Sequence, residues 1–515
     1  MSWKSHIDEL RTRQRLAEKM GGEEPVARQR SRGKLTVRER VAFLADPGSF
    51  QEIGKIAGRA TYSADEEMED FLPGNMVVGR GRVGGRSCVI IGDDFTVRGG
   101  AADATIRGKF LIAEQMAGEY RMPLVRLVDG TGGGGSVKMF EKDPRTYIPE
   151  TPGWDHVVEN MSEVPVVSLA LGPCAGLGAG RVGASHYSVM VKEMSQVFVA
   201  GPPVARAIGE DVTKEELGGW NIQAKNGTVD EAVETEAEAF GKVRQFLSYL
   251  PSSVHERAER TAPTDDPNRR EESLIEIVPT DGKTPYMPRK IINACVDRDS
   301  FFEIGRYWGK SLVTGFARID GFPVGIMAGD PFFLDGAWTA DTCDKVTRHV
   351  DLCDLFHLPI IHFVDCPGFA VGVKHETAGV TRRGVRAMSA VYQANVPTCA
   401  VVIRKAYGLA GSAMMNPSKT KWRYCWPSGD WGSLPMAGGI EAAYRKELAE
   451  AENPDELLAQ LYKKFDAIKS PFRTAEAFLA EDIIDPRDTR PLLVDFVHHA
   501  DRVIDAGRKP KGYRP

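Results

Sequence analysis

The sequence predicts an α/β protein of two tandem domains related by internal duplication. Three observations carry this. SFQEIGK at 49–55 returns as SFFEIGR at 300–306. GDDFTVRGGAADAT (92–105) and PLVRLVDG (123–130) return, in that order, as GDPFFLDGAWTADT (329–342) and PIIHFVDC (359–366). PVVSLALGPCAGLGAG (165–180) is answered by PTCAVVIRKAYGLAGS (397–412). Self-similarity at so long a period is a repeat of whole domains. The offset between copies falls from 251 (300 minus 49) to 236 (359 minus 123) and 232 (408 minus 176). The first copy therefore carries extra segments, and the acidic TYSADEEMED (61–70) is the candidate.

Residues 1–45 read as helical. Thr36 and Glu39 in LTVRERV form a capping box that opens a helix through about Leu44, and Asp46-Pro47-Gly48 ends it. The first domain, residues 1–251, then alternates β-rich runs (VVGRGRV, SCVIIG, PLVRLVD, VPVVSLALG, VFVAG) with helix-like stretches, which implies parallel βαβ units. Residues 252–285 are polar and proline-bearing, the composition of a linker. The second domain follows over 286–515, and from 448 onward charged residues alternate with apolar ones at helical spacing.

A chain of 515 residues divides naturally into two domains of about 200–250 residues. A net charge of −5 gives no footprint for nucleic acid, and no apolar run approaches the roughly 20 residues of a membrane helix. The basic run VARQRSRGK (26–34) suits either a solvated helix surface or contact with a phosphorylated ligand. The charged N-terminus lacks a signal-peptide core, and the eight cysteines show no CxxC spacing. Reduced thiols in a cytoplasmic protein with no metal site are expected.

Two glycine turns are the sharpest candidates for chemistry: Cys174-Ala175-Gly176-Leu177-Gly178 and Ala406-Tyr407-Gly408-Leu409-Ala410-Gly411. Each follows an apolar strand and opens a helix of small residues. Consecutive backbone N–H groups there can hold a developing oxyanion, each donor supplying about 3–4 kcal/mol in a dry site. The same turns would also serve close packing of helix on sheet. Arg98-Gly99-Gly100, past another strand, could approach a thioester or a phosphate, or simply make a turn of positive φ. GTGGGG (130–135) could form an anion-binding nest or a flexible loop. Asp129 and Asp365, at equivalent strand ends, suit capping and turn roles, and Tyr407 a pocket or packing role. No GxSxG or HExxH motif is present, and the ten histidines are not spaced as metal ligands.

At these residues the chain resembles the carboxyltransferase β subunit of biotin-dependent acyl-CoA carboxylases, the propionyl-CoA and methylcrotonyl-CoA carboxylase group. GKLTVRERV, GDDFTVRGG, LGPCAGLGAG, VFVAGPPVARAIGEDVTKEELGG, DCPGFAVG, ETAGVTRRGVRAMSA and IRKAYGLAG carry the resemblance over nearly the whole chain. It implies two crotonase-like domains, each a spiral of ββα units, in a ring-shaped hexamer. The active site would lie between the first domain of one subunit and the second domain of its neighbour. It implies a thioester enolate held at Gly176 and Leu177 and the biotin ureido oxygen held at Leu409 and Ala410. Arg98, Gly99, Gly100, Ala175, Tyr407 and Gly408 would line the ligands. The carboxyl group would come from carboxybiotin on a partner subunit, a biotin carboxylase or carrier protein, since no Met-Lys-Met motif is present.

The chain departs from that family where Leu177 and Leu409 replace the usual second glycine of each turn. VDGTGGGGSVKM replaces an Asp-Ser-Gly-Gly-Ala-Arg segment, and 420–438 is reworked. A leucine forced to positive φ would distort the hole. Two other readings of the sequence are the carboxyltransferase subunit of a biotin-dependent decarboxylase and an inactive CoA-binding assembly subunit.

Overall fold

In a computed structural model, which describes residues 2–100, 104–131, 144–146, 148–433, 436–508 and 512–515, the chain forms two compact units. The first is Met1–Glu256 with Gly507–Pro515, and the second is Arg257–Ala506. These limits differ from the boundaries read off composition. Residues 257–285 belong to the second unit, where Leu274 and Val278 enter its hydrophobic core. Arg269 pairs with Asp265 at 3.0 Å there, both nearly buried. A polar, proline-bearing segment that lies along a folded surface has the composition of a linker without being one. The last nine residues return to the first unit.

The first unit holds strands β1 (Gln51–Ile53), β2 (Gly58–Tyr62), β3 (Met68–Pro73), β4 (Met76–Val83), β5 (Arg86–Asp93), β6 (Leu124–Val128), β7 (Val166–Ala170), β8 (Pro173–Ala175), β9 (Tyr187–Val191), β10 (Gln196–Phe198) and β11 (Glu231–Val233). The second holds β12 (Phe302–Ile304), β13 (Leu312–Ile319), β14 (Phe322–Gly329), β15 (Ile360–Cys366), β16 (Thr398–Tyr407), β17 (Trp422–Cys425) and β18 (Asp430–Gly432). The main sheets run β1-β4-β5-β6-β7-β9-β11 and β12-β13-β14-β15-β16-β17, with β18 also on β16.

Both sheets begin with two antiparallel pairings and continue parallel. The parallel strands are buried on both faces, which is why β6, β7 and β15 read as near-continuous apolar runs. One device differs. In the second unit β16 pairs with β17 through Cys399–Val402 and with β18 through Lys405–Tyr407, as one strand. In the first unit the same course is split into β7 and β8, and β8 pairs with β10 in a separate small sheet.

The extra segment proposed at 61–70 is the hairpin β2–β3, paired from Gly58↔Pro73 to Tyr62↔Met68, and no strand stands between β12 and β13. It accounts for the fall in offset from 251 to 236. At the N-terminus, helices span Lys4–Glu18, Glu23–Ser31 and Val37–Leu44. The third opens with the expected capping box, Thr36 Oγ1 accepting from Glu39 N–H at 3.3 Å and Glu39 accepting from Thr36 N–H at 2.7 Å.

Candidate active site

In the first unit three segments converge. β8 ends at Ala175, and the chain turns at Gly176 (φ 55°, ψ −117°) into the helix Leu177–Gly183. That backbone conformation is open to glycine alone. The N–H of Gly176 donates to the carbonyls of Phe198 (3.3 Å) and Val199 (3.0 Å), and that of Gly178 donates to Thr131 at 3.0 Å. The N–H of Leu177 lies between them with no acceptor among the described residues. The pair expected at Gly176 and Leu177 is therefore uneven, with one donor engaged and one without an acceptor among the described residues.

Thr131 joins this turn to the second segment, since its Oγ1 donates to the Gly100 carbonyl at 3.2 Å. Arg98, Gly99 and Gly100 are three successive left-handed residues, at φ 56°, 62° and 73°. Gly130, the first of the glycine run, accepts from Ala175 N–H at 3.2 Å. The rest of that run, 132–135, lies outside the described residues, as does 132–139 of the VDGTGGGGSVKM segment.

The second unit repeats the arrangement. Tyr407 ends β16, Gly408 takes φ 59°, and the helix Gly408–Ser412 follows. A Cβ on Gly408 would stand 3.6 Å from the Ser433 carbonyl, and one on Gly176 would stand 3.8 Å from that of Val199, so each turn lies beside a backbone carbonyl. The N–H groups of Leu409 and Ala410 have no acceptor among the described residues. Leu334, Asp335 and Gly336 repeat the left-handed turn at φ 50°, 56° and 86°. Neither Leu177 nor Leu409 has positive φ. Glycine carries the strain one residue earlier, so the leucines leave both turns undistorted.

Buried ion pairs hold these segments. Asp129 accepts from Lys34 (2.6 Å) and Arg40 (2.8 Å), all three nearly or fully buried, and burial pulls the Lys34 ammonium below its ordinary range. Asp365 accepts from Tyr286 Oη (2.8 Å) and Arg404 Nε (3.1 Å), and burial raises its carboxyl. Both aspartates are thus centres of ion-pair networks, where the sequence suggested caps. Arg404 and Lys405 also pair with Asp335 of the left-handed turn. Tyr407 is buried and donates to Asp430 at 2.6 Å, and burial raises its phenol.

Two arginines fix the C-terminal end of the helix Leu177–Gly183. Arg181 pairs with Asp93 at 2.9 Å, while Arg126 Nη1 donates to the carbonyls of Arg181 (3.3 Å) and Ala184 (2.6 Å) at its C-terminus. Arg126 is itself held by Glu114 at 2.9 Å, both fully buried. Beside the Arg98 turn, a cleft of about 570 Å³ is lined by Arg28, Arg32, Leu72, Phe95, Arg98 and Gly99. It offers cations and apolar surface together.

The carboxyl transferase domain family matches residues 28–502. The chain belongs to the carboxyl transferase family. It is 33% identical over 508 residues to the propionyl-CoA carboxylase carboxyltransferase subunit of Haloferax mediterranei, covering 96% of each chain. It is 32% identical over 492 residues to the methylmalonyl-CoA carboxyltransferase 12S subunit of Propionibacterium freudenreichii subsp. shermanii, covering 94% of this chain and 92% of that one. A solved transcarboxylase 12S, described as a hexamer with methylmalonyl-CoA and methylmalonic acid bound, superposes with a TM-score of 0.88 at 30% identity, over 100% of this chain and 98% of that one. The fold is thereby the crotonase-like α/β fold in two tandem copies.

Among carboxyl transferase residues named from sequence, Gly99, Gly100, Ala175, Gly176 and Leu177 come together in the first unit, and Tyr407, Gly408, Leu409 and Ala410 in the second. Arg98 faces the cleft. Sequence reasoning missed Thr131, whose two hydrogen bonds bridge the glycine turns, and the Arg126 cap. A lone threonine or strand arginine carries no local signal for such a role. Asp335 had a signal, its place opposite Arg98 in the aligned copies. Among the described residues no group of acids, histidines and cysteines could hold a metal, and no helix is long and apolar enough to cross a membrane.

Proposed function

We propose that this carboxyl transferase moves a carboxyl group from carboxybiotin to the α-carbon of an acyl-CoA. The observation that carries the reading is the duplicated turn: a left-handed glycine followed by a leucine whose N–H is open, once in each unit. One turn would serve each reacting oxygen. In the first unit the Leu177 N–H donates to the thioester oxygen, which gains negative charge as the α-proton leaves. A fixed donor aimed at that oxygen lowers the barrier because its orientation is set by folding. In the second unit the Leu409 and Ala410 N–H groups would hold the ureido oxygen of biotin, which when bound as carboxybiotin would supply CO2 and, once decarboxylated, accept the α-proton. The residues present fit this use, since two unengaged backbone donors are what a ureido oxygen requires.

The cleft beside Arg98 suits the rest of the acyl-CoA. Arg28, Arg32 and Arg98 match its phosphates, Leu72 and Phe95 its adenine, and Gly99 allows close approach. Relatives named as propionyl-CoA carboxylase and methylmalonyl-CoA carboxyltransferase support a short-chain acyl-CoA. The hexamer described for transcarboxylase 12S supports the same assembly here, with biotin arriving on a partner subunit. The test is decarboxylation of malonyl-, methylmalonyl- and methylglutaconyl-CoA by the purified protein with free biotin, followed by mass spectrometry. Biotin-dependent turnover of one thioester is the expected result. Binding of all three without turnover would favour an assembly role.

A further inference from the structure

We infer that Leu177 and Leu409 set selectivity: each is the side-chain wall of the hole whose amide it supplies, Leu177 limiting the acyl group and Leu409 seating the biotin ring. This rests on the carboxyl-transfer reading above. The segments around them are otherwise nearly bare. Ala175 to Gly180 reads Ala-Gly-Leu-Gly-Ala-Gly, and Gly408 to Ala413 reads Gly-Leu-Ala-Gly-Ser-Ala. Crowding keeps them bare, since a Cβ on Gly178 would meet the Gly130 carbonyl at 2.3 Å and one on Gly411 would meet the Ala406 backbone at 2.6 Å. After its glycine each turn thus carries one bulky side chain, Tyr407 before Gly408 being buried on Asp430, and in both copies it belongs to a residue whose N–H has no acceptor among the described residues.

Direction places that bulk in the site. The Cα–Cβ bond of a helical residue tilts toward the start of the helix. Leu177 and Leu409 stand in the first turns of their helices, so their side chains lean over the space their N–H groups face. The strain that would exclude a side chain falls on Gly176 and Gly408, which leaves the next position free to carry one. The two walls differ in exposure. Leu177 is half-buried, a fixed limit beside the thioester. Leu409 is 62% exposed, an apolar surface that a docking ring would cover. Leu177 therefore selects two- and three-carbon acyl groups over longer or branched ones. One methylene against a fitted wall discriminates by about 10–200-fold.

The test compares wild type with Leu177→Ala and Leu409→Ala. Calorimetry gives Kd for acetyl-, propionyl-, butyryl- and isobutyryl-CoA, and decarboxylation gives KM for free biotin. Leu177→Ala should raise the affinity of butyryl- and isobutyryl-CoA relative to propionyl-CoA by about tenfold or more. Leu409→Ala should leave that ratio in place and raise KM for biotin. An unchanged ratio in Leu177→Ala, an equal change across the series, or a ratio moved equally by Leu409→Ala would overturn the inference. If melting shows Leu177→Ala to be unfolded, Leu177→Val should shift the ratio in the same direction by less. Calorimetry does not depend on turnover, so a protein that binds the series but decarboxylates nothing counts against the carboxyl-transfer reading and leaves the wall assignment to be judged by the ratio.

Discussion

Gly176 and Gly408 could be picked out of the sequence because they recur in two copies after apolar strands. Which amide stays open could not. That depends on the carbonyls of Phe198 and Val199, which claim the Gly176 N–H from more than twenty positions away, and on Thr131, which claims that of Gly178. The histidines were likewise silent in the sequence, yet four are buried, His349 and His362 among them. Burial pushes His362 down to about 4 and His349 down to about 3, and neutral His362 donates Nδ1–H to the Met414 carbonyl at 3.2 Å. Their folded values lie below the unfolded value of about 6.5, so the unfolded chain takes up protons first as pH falls. Their contribution is complete above about pH 6.5 and is lost as pH drops toward 4 for His362 and toward 3 for His349. His362 alone should account for roughly 3 kcal/mol of that loss. Urea unfolding at pH 7 and pH 5 checks this: His362→Gln should lose less stability between the two than wild type, and an equal loss would refute the assignment.

At the scale of elements, the alternation of strands and helices was readable because buried parallel strands are near-continuous apolar runs. The split of one strand course into β7 and β8, against the unbroken β16, was not, since it depends on which neighbour each end pairs with. The helix Leu177–Gly183 owes its placement to two buried arginines. Arg126 neutralises Glu114 and caps the helix carbonyls, and both roles lie in the interior. Arg126→Met should cost about 3–5 kcal/mol, because it leaves Glu114 buried and uncompensated. Chemical denaturation should show this in Arg126→Met and a much smaller loss in Arg126→Met/Glu114→Leu. Equal losses would mean that the carbonyl cap, and not the ion pair, dominates.

At the scale of the whole molecule, the duplication was legible because both copies keep their landmarks in order. The unit limits were less so, because the mostly polar 257–285 segment joins the second core through Leu274 and Val278 alone among its buried residues. The basic run at 26–34 likewise acquires meaning only when Arg28 and Arg32 are seen across a cleft from Arg98. Replacing Arg28 and Arg32 with alanine should raise KM for an acyl-CoA by about tenfold, through lost charge-assisted hydrogen bonds of about 1.5–3 kcal/mol. The acyl-pantetheine, which lacks those phosphates, should be unaffected. A parallel rise for both would place the nucleotide elsewhere.

In the proposed mechanism backbone amides, not side chains, hold the reacting oxygens. Proline is tolerated at the first helical position and lacks only the N–H there. Leu177 occupies that position. The most direct measurement is therefore kcat for biotin-dependent decarboxylation of the turned-over thioester by wild type and by Leu177→Pro, with melting temperatures recorded for both. A fall of about 10²–10³ in kcat at a nearly unchanged melting temperature is expected. A Leu177→Pro enzyme that turns over at the wild-type rate would contradict it.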